Sequence, residues 1–268
     1  MNKKYIRGIA IPIGILLFFA LGFLLAPNDP DHVDVTARFL GPCSQYPLGT
    51  DNMGRCVLSR LLYGGRTTLG IVAVGSGMVI GLGTVSGLIM GGMKKKQNII
   101  LESVLNAVTA IPPIAYLIIF IAAWGNGIFT VLTAATVSLL LRLTKLVKTR
   151  TEIESGKAYV MCAVASGATR AEVLAQEILP NLIWDILHFM CLSCADLIVS
   201  IVGFSFIGLG LGDNVIDWGM IISDTHHYFM TYPGMTFYPV IGIFLCTCSF
   251  YVLGRVIEKG EKADAGNQ

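Results

Sequence analysis

The stretch Ala158–Asn181, AYVMCAVASGATRAEVLAQEILPN, decides how this chain is read. It is polar enough for water, yet it lies between two long apolar runs. Its alanines and its charges of both signs suit helix. Gly167 falls near the middle, and Leu179-Pro180 reads as the end, just before the next hydrophobic run. A few residues suffice to join two membrane-crossing helices. A helical loop this long is expected to be a docking surface.

The flanking runs belong to a membrane protein. Hydrophobic residues make up 54% of the chain, charged residues only 13%, and the mean hydropathy is +0.71. Six runs have helix-spanning length: Tyr5–Ala26, Thr67–Gly91, Asn98–Trp124, Ile128–Lys148, Leu182–Leu209 and Thr236–Ile257. The expected fold class is an all-α polytopic membrane protein, one domain over residues 1–268. The first run reads as a retained signal-anchor: about 19 apolar residues follow Lys3, Lys4 and Arg7, and Pro27-Asn28-Asp29-Pro30 stands where a small-residue cleavage site would be.

Lys and Arg set the orientation. With the N-terminus inside, the inner segments hold 15 of the 19 basic residues, Lys94–Lys96 and Arg142–Arg170 among them. Only Arg38, Arg55, Arg60 and Arg66 lie outside. Both termini and Ala158–Asn181 are therefore expected in the cytoplasm. The net charge of +2 reflects topology and argues for no nucleic-acid partner.

In the external loop 27–66, GTDNMGRCVLSRLLYGGR reads as a short amphipathic helix. Thr50 or Asp51 would cap it, Val57, Leu58, Leu61 and Leu62 form its apolar face, and Gly64-Gly65 would end it. It would lie over the mouth of a pathway or act as a simple lid. In the second span, Gly77/Gly81, Gly83/Gly87 and Gly87/Gly91 have small-xxx-small spacing, a face for close packing within the chain or on a partner subunit. Ile111-Pro112-Pro113 predicts a kink or break in the third span.

The fifth span carries Asp185, His188, Leu192 and Asp196 at three- and four-residue spacing. Asp185 falls near the cytoplasmic end, and Asp196 near mid-membrane, where a carboxylate usually faces a cavity or partner. His188 and Asp196 are candidate transient metal ligands. His226 and His227, in the last external loop, read as surface histidines or as ligands during handover of a metal. Seven cysteines are present; Cys43 and Cys56 share the external loop, where a disulfide is possible, while Cys191-x-x-Cys194 on a membrane helix is a poor zinc site. No phosphate-cradling G-x-x-x-x-G-K-[ST], nucleophile elbow or zinc-protease motif occurs. No catalytic residue and no bound cofactor is expected, so energy must come from another subunit.

Ala158–Asn181 resembles the coupling loop of binding-protein-dependent ABC importer permeases, with Ala163, Gly167, Leu179 and Pro180 in matching places. Met161 stands where a glutamate is usual, Cys162 replaces the first alanine, and Ile178 sits one place off. LGTDNMGRCVLSRLLYGGRTTLG (Leu48–Gly70), GFSFIGLGLG (Gly203–Gly212) and DWGMIISD (Asp217–Asp224) are similar to the dipeptide/oligopeptide/nickel permease family, second-permease type. Cys56 departs from the usual acidic residue.

The stretch from Asp196 to Tyr238 looks most like the nickel-type members. The resemblance implies a permease core over 67–257 and a two-helix coupling loop over 158–181, bent at Gly167. Tyr159, Ala163, Gly167, Ala168, Leu179 and Pro180 would serve ATPase coupling. It implies a homologous permease subunit, two ATPase subunits carrying ATP and Mg, and an external binding protein. It places the assembly in the bacterial inner membrane, importing nickel or a metal chelate, or alternatively dipeptides or oligopeptides.

Overall fold

Glycine decides how the helices stack. The computed structural model describes residues 3–93, 95–212 and 215–265, so Lys94 of the basic cluster lies outside the described residues. Helix α1 spans Lys3–Leu21, and α2 spans Val57–Gly91. After them come α3 (Lys95–Thr109), α4 (Pro113–Trp124) and α5 (Ile128–Ser155). Gly83, Gly87 and Gly91 lay α2 directly on α5. A Cβ at Gly83 would sit 2.9 Å from Leu143, one at Gly87 2.5 Å from Val147 and one at Gly91 2.5 Å from Thr151. Lipid gives little hydrophobic gain on helix association, so close backbone contact carries the packing. The Ser86 and Thr144 hydroxyls, 2.8 Å apart, hydrogen-bond across the same seam. Gly77 and Gly81 have nothing within 4 Å of a built Cβ, so the glycine face splits between a packed row and an open one.

Five helical segments are long and apolar enough to cross a membrane: Gly8–Leu25, Val57–Gly91, Ile128–Ser155, Arg170–Phe206 and Pro233–Gly260. The pair α3–α4, bent by 84°, makes a sixth when counted as one broken span. The break falls where Ile111-Pro112-Pro113 predicts it: α3 stops at Thr109, and Pro112, at ψ 145°, precedes the first turn of α4. The Tyr116 hydroxyl donates to the Val108 carbonyl near the break, at 2.7 Å.

Past α5 come α6 (Ala158–Ala165), α7 (Arg170–Glu172), α8 (Leu179–Phe206), α9 (Trp218–Thr225) and α10 (Pro233–Ala265). The buried core runs where α2, α5 and α8 meet, through Val72, Val79, Leu143, Val147, Ile198 and Ile201.

Two expected helix ends are continuous instead. Gly64-Gly65 does not end an external helix, because α2 runs on through both. Their missing side chains make room: a Cβ at Gly64 would meet Trp218 at 3.0 Å, and one at Gly65 the Phe19 carbonyl at 2.9 Å. The helix starts at Val57, and its N-cap is Cys56, without a side-chain hydrogen bond, rather than Thr50 or Asp51. Thr50 instead binds the Leu40 amide and the Ala37 carbonyl, and Asp51 accepts from the amides of Met53 and Arg55. The apolar face is as expected, with Val57, Leu61 and Leu62 buried.

Likewise Leu179-Pro180 does not end the loop. The stretch from Arg170 to Phe206 is one helix, in which Val173–Ile178 winds as a π-helix. Proline lacks an amide proton and its ring crowds the carbonyl four residues back. The wider π turns, with the Leu179 amide bonded to the Leu174 carbonyl, let the chain pass Pro180 without stopping.

Candidate coupling loop and membrane cleft

Helix α6 closes in a Schellman turn. Gly167, at φ +92°, donates to the Val164 carbonyl, and the Ala168 amide reaches back to the Ala163 carbonyl. Only glycine adopts that φ without strain, which explains the bend at this residue. The next helix opens with a capping box: Thr169 accepts from the Glu172 amide, and the Glu172 carboxylate accepts from the Thr169 amide at 2.7 Å. Val160 is buried, and Tyr159, Ala163 and Ala168 pack against the core. Met161 and Val164 point away, 59% and 58% exposed. Both lie in a segment outside the membrane-crossing stretches.

The loop is tied to the bundle at three points. The Tyr159 hydroxyl donates to Glu154 of α5 at 2.8 Å and accepts from Asn181 of α8 at 3.2 Å. Lys157 pairs with Glu154 at 2.7 Å. Burial first, then the Glu154 hydrogen bond, pushes the Tyr159 phenol up to about 12. Arg150 of α5 pairs with Asp185 of α8 at 2.9 Å in the same region.

Farther along, α5 and α8 wall a cleft of about 50 Å³. Val131, Ala135, Ser138 and Arg142 line one side; Ser193, Asp196 and Ser200 line the other. This volume holds a few waters and no larger solute. Of Asp185, His188 and Asp196, which share a face of α8 by spacing, only Asp196 lines it. Its carboxylate also accepts from Tyr251 of α10 at 3.3 Å. His188 Nδ1 lies 2.9 Å from the Gly254 carbonyl of α10, which can only accept, so this nitrogen is the donor. Three residues of helix turn a side chain by about −60°, which swings His188 from α5 towards α10. The shared face thus distributes its groups over two neighbouring helices. Among the described residues, no group of three or more His, Cys, Asp or Glu is placed to hold a metal ion.

At the opposite end lies a charge cluster that spacing did not reveal. Arg55 and Arg60 both donate to Asp224, at 3.0 and 2.9 Å, and Arg55 also pairs with Asp51 at 2.7 Å. Arg60 is 2% exposed. Asp217 caps α9 and accepts from Ser205 at 2.5 Å; burial pushes its carboxyl up. Trp218 is fully buried and donates to the Leu61 carbonyl at 3.0 Å, standing edge-on to Phe19. The Asp-Trp-Gly motif therefore fastens α9 to α2 and α8. His226 and His227 are exposed with ring centroids 3.8 Å apart, and Cys43 and Cys56 are both free.

Residues 83–262 match the family model "Binding-protein-dependent transport system inner membrane component". The chain belongs to this family and is a multi-pass inner-membrane permease subunit of a binding-protein-dependent ABC importer. It is 29% identical over 94% of its length to the glutathione transport system permease protein GsiD of Pectobacterium atrosepticum, covering 86% of that protein. To the nickel transport system permease protein NikC of Escherichia coli it is 27% identical, covering 86% of this chain and 83% of that one. Other relatives are named as permeases of metal-staphylopine, dipeptide and oligopeptide systems. In fold it matches an inward-facing MetNI methionine ABC transporter, with a TM-score of 0.56 and 18% identity over 75% of this chain and 95% of that one. ATP hydrolysis in such importers rests with separate subunits.

Proposed function

We propose that the cargo is a nickel or other metal chelate, a divalent ion wrapped in a small ligand bearing carboxylates and amines. The observation that carries this is the cleft itself: Asp196 and Arg142 offer opposite charges beside the hydroxyls of Ser138, Ser193 and Ser200. A bare ion calls for several converging donors. A chelate already has most of its donors filled and presents polar groups of both signs, which suits one carboxylate, one guanidinium and three hydroxyls. His188, through Nε2, and Asp196 would be passing contacts rather than a fixed metal site.

Ala158–Asn181 docks the ATPase. Tyr159, Ala163 and Ala168 hold α6 in place, Gly167 sets its angle, and Leu179-Pro180 joins the loop to α8. The excess of Lys and Arg at this end supports a cytoplasmic position for the loop and both termini. The chain pairs with a homologous permease; two ATPase subunits bearing ATP and Mg bind below, and an external binding protein delivers the solute. A second reading, import of dipeptides or other short peptides, is favoured by the glutathione and dipeptide names among the relatives. The same groups in the cleft suit a zwitterionic peptide.

The test is uptake into proteoliposomes carrying the whole importer and its binding protein. The probes are free radiolabelled nickel, nickel complexed by an amino-acid chelator, and a radiolabelled dipeptide. The chelate should be taken up fastest, and Asp196→Ala should cut its uptake about tenfold while leaving ATPase association intact. Faster uptake of free nickel or of the dipeptide would overturn the chelate reading. Unchanged uptake in Asp196→Ala would return that residue to a structural role.

A further inference from the structure

The cleft lies between α5 and α8, and it is too small for a solute as it stands. On the reading that cargo contacts this cleft, α5 and α8 must move apart to admit it. The Tyr159 hydroxyl of the docking helix bonds Glu154 on one of them and Asn181 on the other. Arg150 and Asp185 then join the same two helices directly. None of these five residues lines the cleft.

We propose that Glu154–Tyr159–Asn181 and Arg150–Asp185 form a coupling clasp. It makes the end of α5, all of α6 and the base of α8 one mechanical unit, so that displacement of α6 by the ATPase reaches the cleft. Without the clasp, α6 would keep only the burial of Val160, the packing of Ala163 and Ala168 and the Lys157–Glu154 pair, between the Schellman turn at Gly167 and the short link Gly156–Lys157. Tyr159 is the node because it bonds both helices at once. Its phenol, raised to about 12, stays protonated and able to donate at any physiological pH. Arg150, half exposed, and Asp185 act as positioning residues: neither touches the cleft. The proposal rests on reading α6 as the ATPase-docking helix.

Hydrogen–deuterium exchange on the assembled importer in lipid nanodiscs tests it, with and without ATP and vanadate. In the parent complex, nucleotide should change amide exchange in 158–165 and also in 150–157 and 179–186. In Tyr159→Phe and in Arg150→Glu, the change should persist in 158–165 and fall at least threefold in the two flanking segments. The double variant Arg150→Glu/Asp185→Arg should restore the flanking response, which a loss of general stability would not do. Flanking responses that survive both single variants, or a double swap no better than the single, would overturn the clasp. A parent complex in which nucleotide leaves 158–165 unchanged would instead overturn the docking assignment.

Discussion

Gly87→Ala tests the α2–α5 seam against a control on the same helix. The new Cβ would stand 2.5 Å from Val147 Cβ, 2.8 Å from Val147 Cγ1 and 2.9 Å from the Thr144 carbonyl oxygen. Carbon atoms rest at about 3.5–4.0 Å, so the two helices must part by roughly 1 Å along this row. Overpacking of this kind costs about 1–3 kcal/mol. Replacing glycine by alanine inside a helix also returns about 1 kcal/mol through backbone entropy. Gly81→Ala gains that same term and meets nothing within 4 Å. The difference between the two variants therefore isolates the packing cost. For a chain of this length, each kcal/mol moves the midpoint by about 2–4 °C, so Gly87→Ala should melt roughly 2–12 °C below Gly81→Ala. Heating detergent-purified fluorescent fusions and counting the monodisperse fraction measures this. Equal midpoints for the two alanine variants would refute the seam.

Asp224→Ala should destabilise the chain by about 3–5 kcal/mol, because it leaves the Arg55 and Arg60 guanidinium groups short of a counter-charge in a buried cluster; thermal unfolding checks this, and a loss below 1 kcal/mol would show the cluster to be solvated. Trp218→Ala removes a fully buried indole and its bond to Leu61, and should cost about 3–5 kcal/mol in the same assay. Gly167→Pro, or deletion of Gly167–Gln176, should abolish ATPase assembly or coupling while the chain still inserts; co-purification and ATP-driven uptake decide, and normal uptake rejects the docking role. The Tyr159 pKa lies above its ordinary value of about 10, so the stability it adds is complete below pH 10 and is lost as pH rises towards about 12. Tyr159→Phe should remove that alkaline step, seen as a flatter stability profile above pH 10.

Much of this architecture is visible in one sequence because lipid enforces it. Long apolar runs, Lys and Arg asymmetry, and the Pro112-Pro113 break each follow from local chemistry. The bend at Gly167 is similarly local; the capping box Thr169-x-x-Glu172 has a local spacing signal too, but the sequence reading passed over it. What else escaped depends on distant partners. Gly64-Gly65 looks like a stop until Trp218, more than 150 residues away, is seen against it. Pro180 looks like a stop until the preceding turns are seen to widen. Arg55, Arg60 and Asp224 are unremarkable singly and meet only after folding. The spacing of Asp185, His188 and Asp196 was correct, but spacing says which residues share a face and not which neighbour each one meets.

The π-helical turns at Val173–Ile178 take up extra chain. A π turn holds one residue more than an α turn needs, so it takes up locally a residue that plain α-helix would pass on as a rotation of about 100°. Deleting one residue from this stretch would let it relax to α and leave the bearing of everything beyond it nearly unchanged. Deleting one residue between Asn181 and Ala195, where the winding is plain α, would instead turn Asp196 by about 100° and carry it out of the cleft. The winding beside the docking helix is thus a reserve of slack, and a single-residue deletion there should be far milder than one in the helix beyond it.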